Sequence, residues 1–393
     1  MPQPSACGGR GLDYTSDKCA PDKNNDAQTM KKIHLIAAAR PNFMKVAPLY
    51  HALDAADWCQ PILIHTGQHY DTNMSDTFFA DLRLPQPDYH LEVGSGSHAE
   101  QTGGVMQAYE KVALADKPDW IVVVGDVNST LACAIVGAKC WIPVAHLEAG
   151  LRSGDRRMPE EINRILTDSI ANLLWTPSMD ANQHLFSEGV AAEKIDLVGN
   201  IMIDSLEMRR AEINADQTVQ RLDLTPSQFA VVTLHRPSNV DQAAVLNSIC
   251  QQLIEVSQHC QIVFPVHPRT RHKLIEFELI ASLEQSEHIK LVEPLGYIQF
   301  MNLVTQAKLI ITDSGGIQEE TTYLGVACLT LRENTERPIT LTQGTNQLIA
   351  PDQLQQQVMR ILTGAMQPYS VPELWDGNTA ARVVASLHQR CLP

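Results

Sequence analysis

From residue 31 onward the chain alternates short, unbroken apolar runs with longer segments whose apolar residues recur at helical spacing. A first series, IHLIAAA (33–39), PILIHT (61–66), WIVVVGD (120–126), PVAHLEA (143–149) and LLWTP (173–177), is followed by a second. The second comprises FAVVTLH (229–235), QIVFPVH (261–267), IKLVEP (289–294), LIITDS (309–314) and ACLTLR (327–332). Runs this short and this apolar predict strands covered on both faces. Helix-length patterns between them, such as KVAPLYHALDAA and NSTLACAIVGAKC, predict βαβ units and parallel sheets. VGNIMIDSLEMRRAEINADQ, between the two series, reads as a hinge. The pattern thus predicts an α/β protein of two doubly wound Rossmann-like domains in tandem. A ligand cleft is expected where the strand C-termini of both domains face each other. Residues 1–29 are polar, carry Gly and Pro and show no period, which predicts a disordered leader.

Composition narrows the function classes. With 393 residues and 44% apolar content the chain can bury two cores. A net charge of -15 argues against a non-specific nucleic-acid or membrane-surface binder, so an anionic ligand must find a local cluster of Arg, Lys, His and backbone N–H groups. The nine cysteines form no C-x-x-C pair, and Cys133, Cys140, Cys250, Cys260 and Cys328 lie in apolar stretches, which predicts reduced, buried thiols rather than a zinc site. No apolar run is long enough for a membrane span and no signal core opens the chain, so a cytoplasmic location is expected.

The chemistry collects at strand ends. LIITDSGGIQEE passes from strand to helix through Ser314, Gly315 and Gly316, where free N–H groups of a first helical turn can cradle an anion; Glu320 lies one turn in, placed to meet ribose hydroxyls. AAARPNFMKVAPL repeats the arrangement with Arg40 and Lys45 flanking a helix start. Asp126 ends one strand, Glu148 another, and Glu160 with Glu161 opens a helix. Such acids also serve as helix caps and dipole partners, but several facing one cleft separate into proton donor and acceptor. His235 and His267 end two strands of the second series and point to a common crevice, and LRENTERPITLTQGTN places Arg332, Glu336 and Arg337 on a loop beside the Gly-Gly turn.

Together RPNFMKVAPL, TGQHYD, GDVNST, HLEAGLRSGDRRMPEEINR, VGN, TLHRPSN, TDSGGIQEE and RENTERPIT resemble the non-hydrolysing UDP-N-acetylglucosamine 2-epimerases, in order from about residue 31 to 391. The resemblance implies a glycosyltransferase-B architecture, with an N-terminal domain at 31–199, a UDP-binding domain at 200–367 and a terminal helix within 368–393 packing back on the first domain. It implies conversion of UDP-GlcNAc to UDP-ManNAc without a metal or redox cofactor, in a homodimer. Carried over by motif, Asp126, Glu148, Glu160 and His235 resemble the catalytic set. Arg40, Lys45, His267, Phe300, Ser314, Gly315, Gly316, Glu320 and Arg337 resemble the substrate contacts, Phe300 standing where uracil packs. The chain departs from the pattern at Asn42, where Glu is common, and at QHYD, where QHR is common. Gln68, His69 and Arg236 persist, but Tyr70, Asp71 and Glu100 occupy the places of the second, activating UDP-GlcNAc site of regulated bacterial members, so that site is not expected. A hydrolysing 2-epimerase, an epimerase of a diacetamido sugar, a glycosyltransferase and a UDP-sugar-binding module remain alternatives on the same fold.

Overall fold

The computed structural model describes residues 30–38, 40–67 and 82–392, apart from the side chains of residues 40 and 41. The leader, residues 68–71 and the Arg40 side chain therefore lie outside the described residues.

The first sheet holds β1 (Lys31–Ala37), β2 (Cys59–His65), β3 (Tyr89–His90), β4 (Trp120–Val124), β5 (Val144–Leu147), β6 (Leu173–Thr176) and β7 (Ile195–Leu197). Its order is β3-β2-β1-β4-β5-β6-β7, and every pairing is parallel. The second sheet holds β8 (Phe229–Thr233), β9 (Gln261–Pro265), β10 (Ile289–Val292), β11 (Leu309–Thr312), β12 (Ala327–Thr330) and β13 (Asn346–Leu348), ordered β10-β9-β8-β11-β12-β13 and also all parallel. All ten predicted strands are present. The three unpredicted ones, β3, β7 and β13, have two or three residues each and lie at sheet edges.

Alternation along each strand feeds two apolar layers, which is why the runs are continuous. Ile33, Leu35 and Ala37 of β1 pack with the helix Arg40–Asp54, whereas Ile36 joins the layer under the helices His98–Asp116 and Asn128–Lys139. In the second sheet Val232, Ile262 and Ile311 face one layer, and Val231, Val263 and Ile310 the other. Among the described residues no helix is long and apolar enough to cross a membrane.

The segment read as a hinge is helical, Ile201–Met208 followed by Arg210–Ala215, and residues 201–206 are buried. Its first helix packs on Arg40–Asp54 from one side and on Gly315–Leu324 from the other, with the Ser205 hydroxyl donating to the Met44 carbonyl. Asp204 accepts the N–H groups of Thr379 (3.1 Å) and Ala380 (2.7 Å), capping the final helix Thr379–Cys391. That helix contributes Ala380, Val383 and Leu387 to the core beneath β1.

Candidate active site

In both sheets the strand order reverses once, between β1 and β4 and between β8 and β11, and an α/β sheet opens a crevice at such a point. The segments after these four strands carry Lys45, Asp126, His235 and the Ser314–Gly316 turn. The two crevices face one cavity of about 890 Å³. Lys45, Asp126, Glu160, His235, His267, Phe300, Ser314, Gly315, Gly316, Glu320 and Arg337 all line it. Glu148 does not; it is 4% exposed and sits behind Lys45.

On the N-terminal wall Asp126, Glu148 and Glu161 are each tied to a cation. Asp126 receives Arg164 Nη1 at 2.5 Å, and Arg164 also binds Glu161 at 2.6 Å. Asp126 is not a helix cap, because that position belongs to Val127. Glu161 accepts the N–H groups of Ser153 (3.0 Å) and Gly154 (2.8 Å), fixing the loop ahead of its helix, while its neighbour Glu160 is exposed to the cavity. Glu148 Oε2 pairs with Lys45 Nζ, and Glu148 Oε1 is buried without a hydrogen bond, 3.9 Å from Arg337 Nη2. Gly125 lies close to this pair: a Cβ there would stand 3.3 Å from Glu148 Oε2 and 3.4 Å from Lys45 Nζ. Glu148 itself has φ +73°, a left-handed conformation that a non-glycine residue adopts at a cost.

The C-terminal wall presents donors. Ser314 precedes the helix Gly315–Leu324 but makes no capping bond with its hydroxyl, so the capping role open to it in the sequence is not taken up. A Cβ on Gly316 would meet only Met202 Cε, at 3.9 Å, and so stand in open space. Gly315 is needed for a different reason: a Cβ there would lie 2.7 Å from both Arg337 Nη1 and Glu336 Oε1. His235 Nδ1 lies 2.9 Å from Asp313 Oδ1, which leaves Nε2 as its free nitrogen. Asp313, fully buried, also accepts the N–H groups of His235 (3.0 Å) and Arg236 (2.9 Å) and the Asn239 amide (3.1 Å). Burial works to raise Asp313, but the hydrogen bonds and charge of His235 and these backbone donors hold it below the usual carboxylate range. His267 Nδ1 accepts the Arg269 N–H at 3.2 Å, capping its helix, and its ring lies 5.7 Å from that of His235.

Behind this wall Arg337 binds Glu319 (2.8 Å) and Glu336, and Glu336 binds Arg332 (2.8 Å). Arg337 therefore organises carboxylates as well as lining the cavity, and it holds Glu336 well below the ordinary range despite burial. Among the described residues Glu320 has no cation partner; it accepts the Tyr297 hydroxyl at 2.9 Å, and burial pushes its carboxyl up to about 8. Glu100 closes a capping box with Ser97.

Arg164, Tyr297, Asp313 and Glu319 stand at or behind the cavity but are not among the candidate site residues read from the sequence. Arg164 carried a signal, since positions 161 and 164 share a helix face. Tyr297 opens the same helix as Phe300. Asp313 had none: its contact with His235 spans 78 residues and depends on β8 and β11 being neighbours.

The sequence pattern described as UDP-N-acetylglucosamine 2-epimerase matches residues 51–388. A UDP-N-acetylglucosamine 2-epimerase of Methanococcus maripaludis is 44% identical over 82% of this chain and 89% of its own length. A UDP-2,3-diacetamido-2,3-dideoxy-D-glucuronate 2-epimerase of Pseudomonas aeruginosa is 39% identical over 81% of this chain and 88% of its own. Among solved structures, the UDP-GlcNAc 2-epimerase of Methanocaldococcus jannaschii in complex with UDP-GlcNAc and UDP superimposes with a TM-score of 0.82, at 40% identity over 91% of this chain and 99% of its own.

Proposed function

Because the chain belongs to the UDP-N-acetylglucosamine 2-epimerase family, we propose that it interconverts UDP-GlcNAc and UDP-ManNAc by expelling UDP and adding it back. The observation that carries this reading is the opposition of two unlike walls across one cavity, acids with Lys45 on one side and helix N–H donors with His235 on the other.

The sugar C2–H has no adjacent carbonyl, so simple deprotonation is unfavourable. Elimination solves this: a carboxylate takes the C2 proton, the electron pair forms the C1–C2 double bond, and the C1–O bond to UDP breaks, leaving 2-acetamidoglucal. Return of UDP to C1 with a proton delivered to the opposite face of C2 gives the epimer. Asp126, which lines the cavity, is assigned to one proton transfer, Glu148 to the other once Lys45 has moved from it to the phosphate, and Glu160 to orientation or exchange of the proton. The negative charge that develops on the departing diphosphate meets the N–H groups at residues 315–317, His235 Nε2 and Lys45. Lys45 is shared between Glu148 and the ligand, so phosphate binding frees the carboxylate as it neutralises the anion. Phe300 and Glu320 receive uracil and ribose.

The test is incubation of the purified protein with UDP-GlcNAc in heavy water. Expected are UDP-ManNAc and recovered UDP-GlcNAc, both deuterated at C2; free ManNAc would instead identify a hydrolysing enzyme, and absence of label would remove the elimination route. The P. aeruginosa relative supports a second reading, a diacetamido uronate substrate, which a direct comparison of kcat/KM on the two nucleotide sugars decides. A homodimer in the cytoplasm supplying surface-polysaccharide precursors completes the proposal; sedimentation and cell fractionation test the first two parts.

A further inference from the structure

His146, in β5, is fully buried and does not line the cavity, yet both its ring nitrogens are engaged. Nδ1 lies 2.6 Å from Asp168 Oδ1 and Nε2 lies 2.8 Å from the Gly125 carbonyl oxygen. A carbonyl oxygen only accepts, so Nε2 carries a proton. The other carboxylate oxygen, Asp168 Oδ2, receives the Gly150 N–H (3.0 Å) and the charged Arg152 Nη1 (2.7 Å), contacts that stabilise the carboxylate form. Burial works to raise Asp168, but His146, Arg152 and the Gly150 N–H hold it below the ordinary range. An ionised Asp168 has no hydrogen to offer Nδ1, so Nδ1 carries a proton as well.

The two turns touched by this pair carry the two candidate proton-transfer acids. The Gly125 carbonyl belongs to the rigid peptide unit whose other half is the Asp126 amide. Gly150 closes the turn that begins with Glu148, and both turns use left-handed backbone, Gly125 at +71°, Glu148 at +73° and Gly150 at +80°. The Gly125 N–H donates to the Leu147 carbonyl at 3.0 Å, joining the turns directly.

We propose that His146 and Asp168 form a buried imidazolium–carboxylate pair that positions Asp126 and Glu148 together, His146 holding one turn by its Gly125 carbonyl and Asp168 the other by its Gly150 N–H. The pair is a positioning element, since neither residue touches the cavity. The inference rests on the epimerase reading and adds to it a common origin for the placement of both acids. A displacement of about 1 Å at a reacting group costs on the order of 100-fold in rate.

Two measurements test it. Nitrogen-15 spectra of the histidine-labelled full chain at about pH 7, with the His146 signals assigned by their loss in His146→Gln, are expected to show two protonated ring nitrogens; a neutral ring overturns the proposal. Asp168→Asn keeps the shape and the Arg152 contact but removes the charge facing Nδ1. Its rate of C2 deuterium exchange at saturating UDP-GlcNAc is expected to fall about 100-fold while UDP affinity stays within about threefold of wild type. Unchanged exchange, or exchange and UDP affinity lost together, overturns the positioning role. If the wild-type protein itself exchanges no deuterium, the epimerase reading fails instead, and the ring-nitrogen spectrum still decides the protonation of the pair.

Discussion

The two walls of the cleft are built from the same element, a parallel strand running into a helix at the point where strand order reverses, and they differ in what backs them. On the N-terminal wall acids are paired with cations: Asp126, which lines the cavity, with Arg164, and Glu148, buried behind it, with Lys45. On the C-terminal wall the exposed groups are donors and the partner is a buried acid, Asp313 behind His235 and Arg236. An acid backed by a cation is held in one orientation by it, as Asp126 is by Arg164. A donor backed by an acid keeps its hydrogen directed outward, toward an anion. The same fold thereby yields one wall for proton transfer and one for holding a leaving group.

This contrast is broken most sharply by Asp126→Asn. Arg164 keeps Glu161 as a partner, so the fold tolerates the change, while C2 exchange is expected to fall roughly 100- to 10,000-fold with UDP affinity unchanged. A variant that exchanges deuterium at the wild-type rate removes Asp126 from the chemistry.

The mirror experiment on the other wall is Asp313→Asn. One of its acceptor positions becomes an amide facing donors, so the outward aim of His235 and Arg236 is lost. UDP binding measured by calorimetry is expected to weaken about 10- to 100-fold, corresponding to a charged hydrogen bond of about 1.5–3 kcal/mol, with a smaller effect on the rate at saturation. Equal losses of rate and affinity would show that the walls do not divide the work.

The twin glycines sharpen the picture at one turn. Gly316→Ala places a methyl group in open space within the cavity and is expected to lower UDP affinity on the order of tenfold with little change in Tm. Gly315→Ala forces the methyl against Arg337 and Glu336 and is expected to cost about 1–3 kcal/mol of stability, seen as a lower denaturation midpoint. Reversal of these two outcomes would relocate the ligand.

The smallest effect comes from Glu320, the acid on the C-terminal wall without a cation. Burial raises it to about 8, so between the ordinary carboxylate range and that value the folded protein holds a proton that the unfolded chain has released. Wild-type stability therefore falls as pH rises through this window. Glu320→Gln has no such proton, and its Tm relative to wild type is expected to climb by about a few degrees between about pH 5 and 8. A difference that does not change with pH would mean that Glu320 is ionised throughout.

Hydrophobic runs and strand-end residues made the ten long strands and eleven of the cavity-lining residues legible in the chain itself, because both signals are local. An apolar run commits a segment to a strand buried on both faces, and whatever follows it emerges at the carboxyl end of the sheet. The two- and three-residue strands β3, β7 and β13 are too short to show a period and form only because a neighbouring edge is there to pair with. The packing of the segment read as a hinge was not legible, because the partners of its apolar stripe, Ile201 to Leu206, are helices from both domains and from the chain terminus.

What only the tertiary structure decided is the charge logic. Lys45 meets Glu148 across 103 residues, His235 meets Asp313 across 78, and Arg337 reaches Glu148 from the opposite domain. Ionisation and aim follow from distance and burial, and neither is periodic along a chain. The sequence by itself determined which elements form and which side chains stand at their ends; folding alone determined which of those side chains face one another, and with that which acid is free to take a proton and which donor is free to hold an anion.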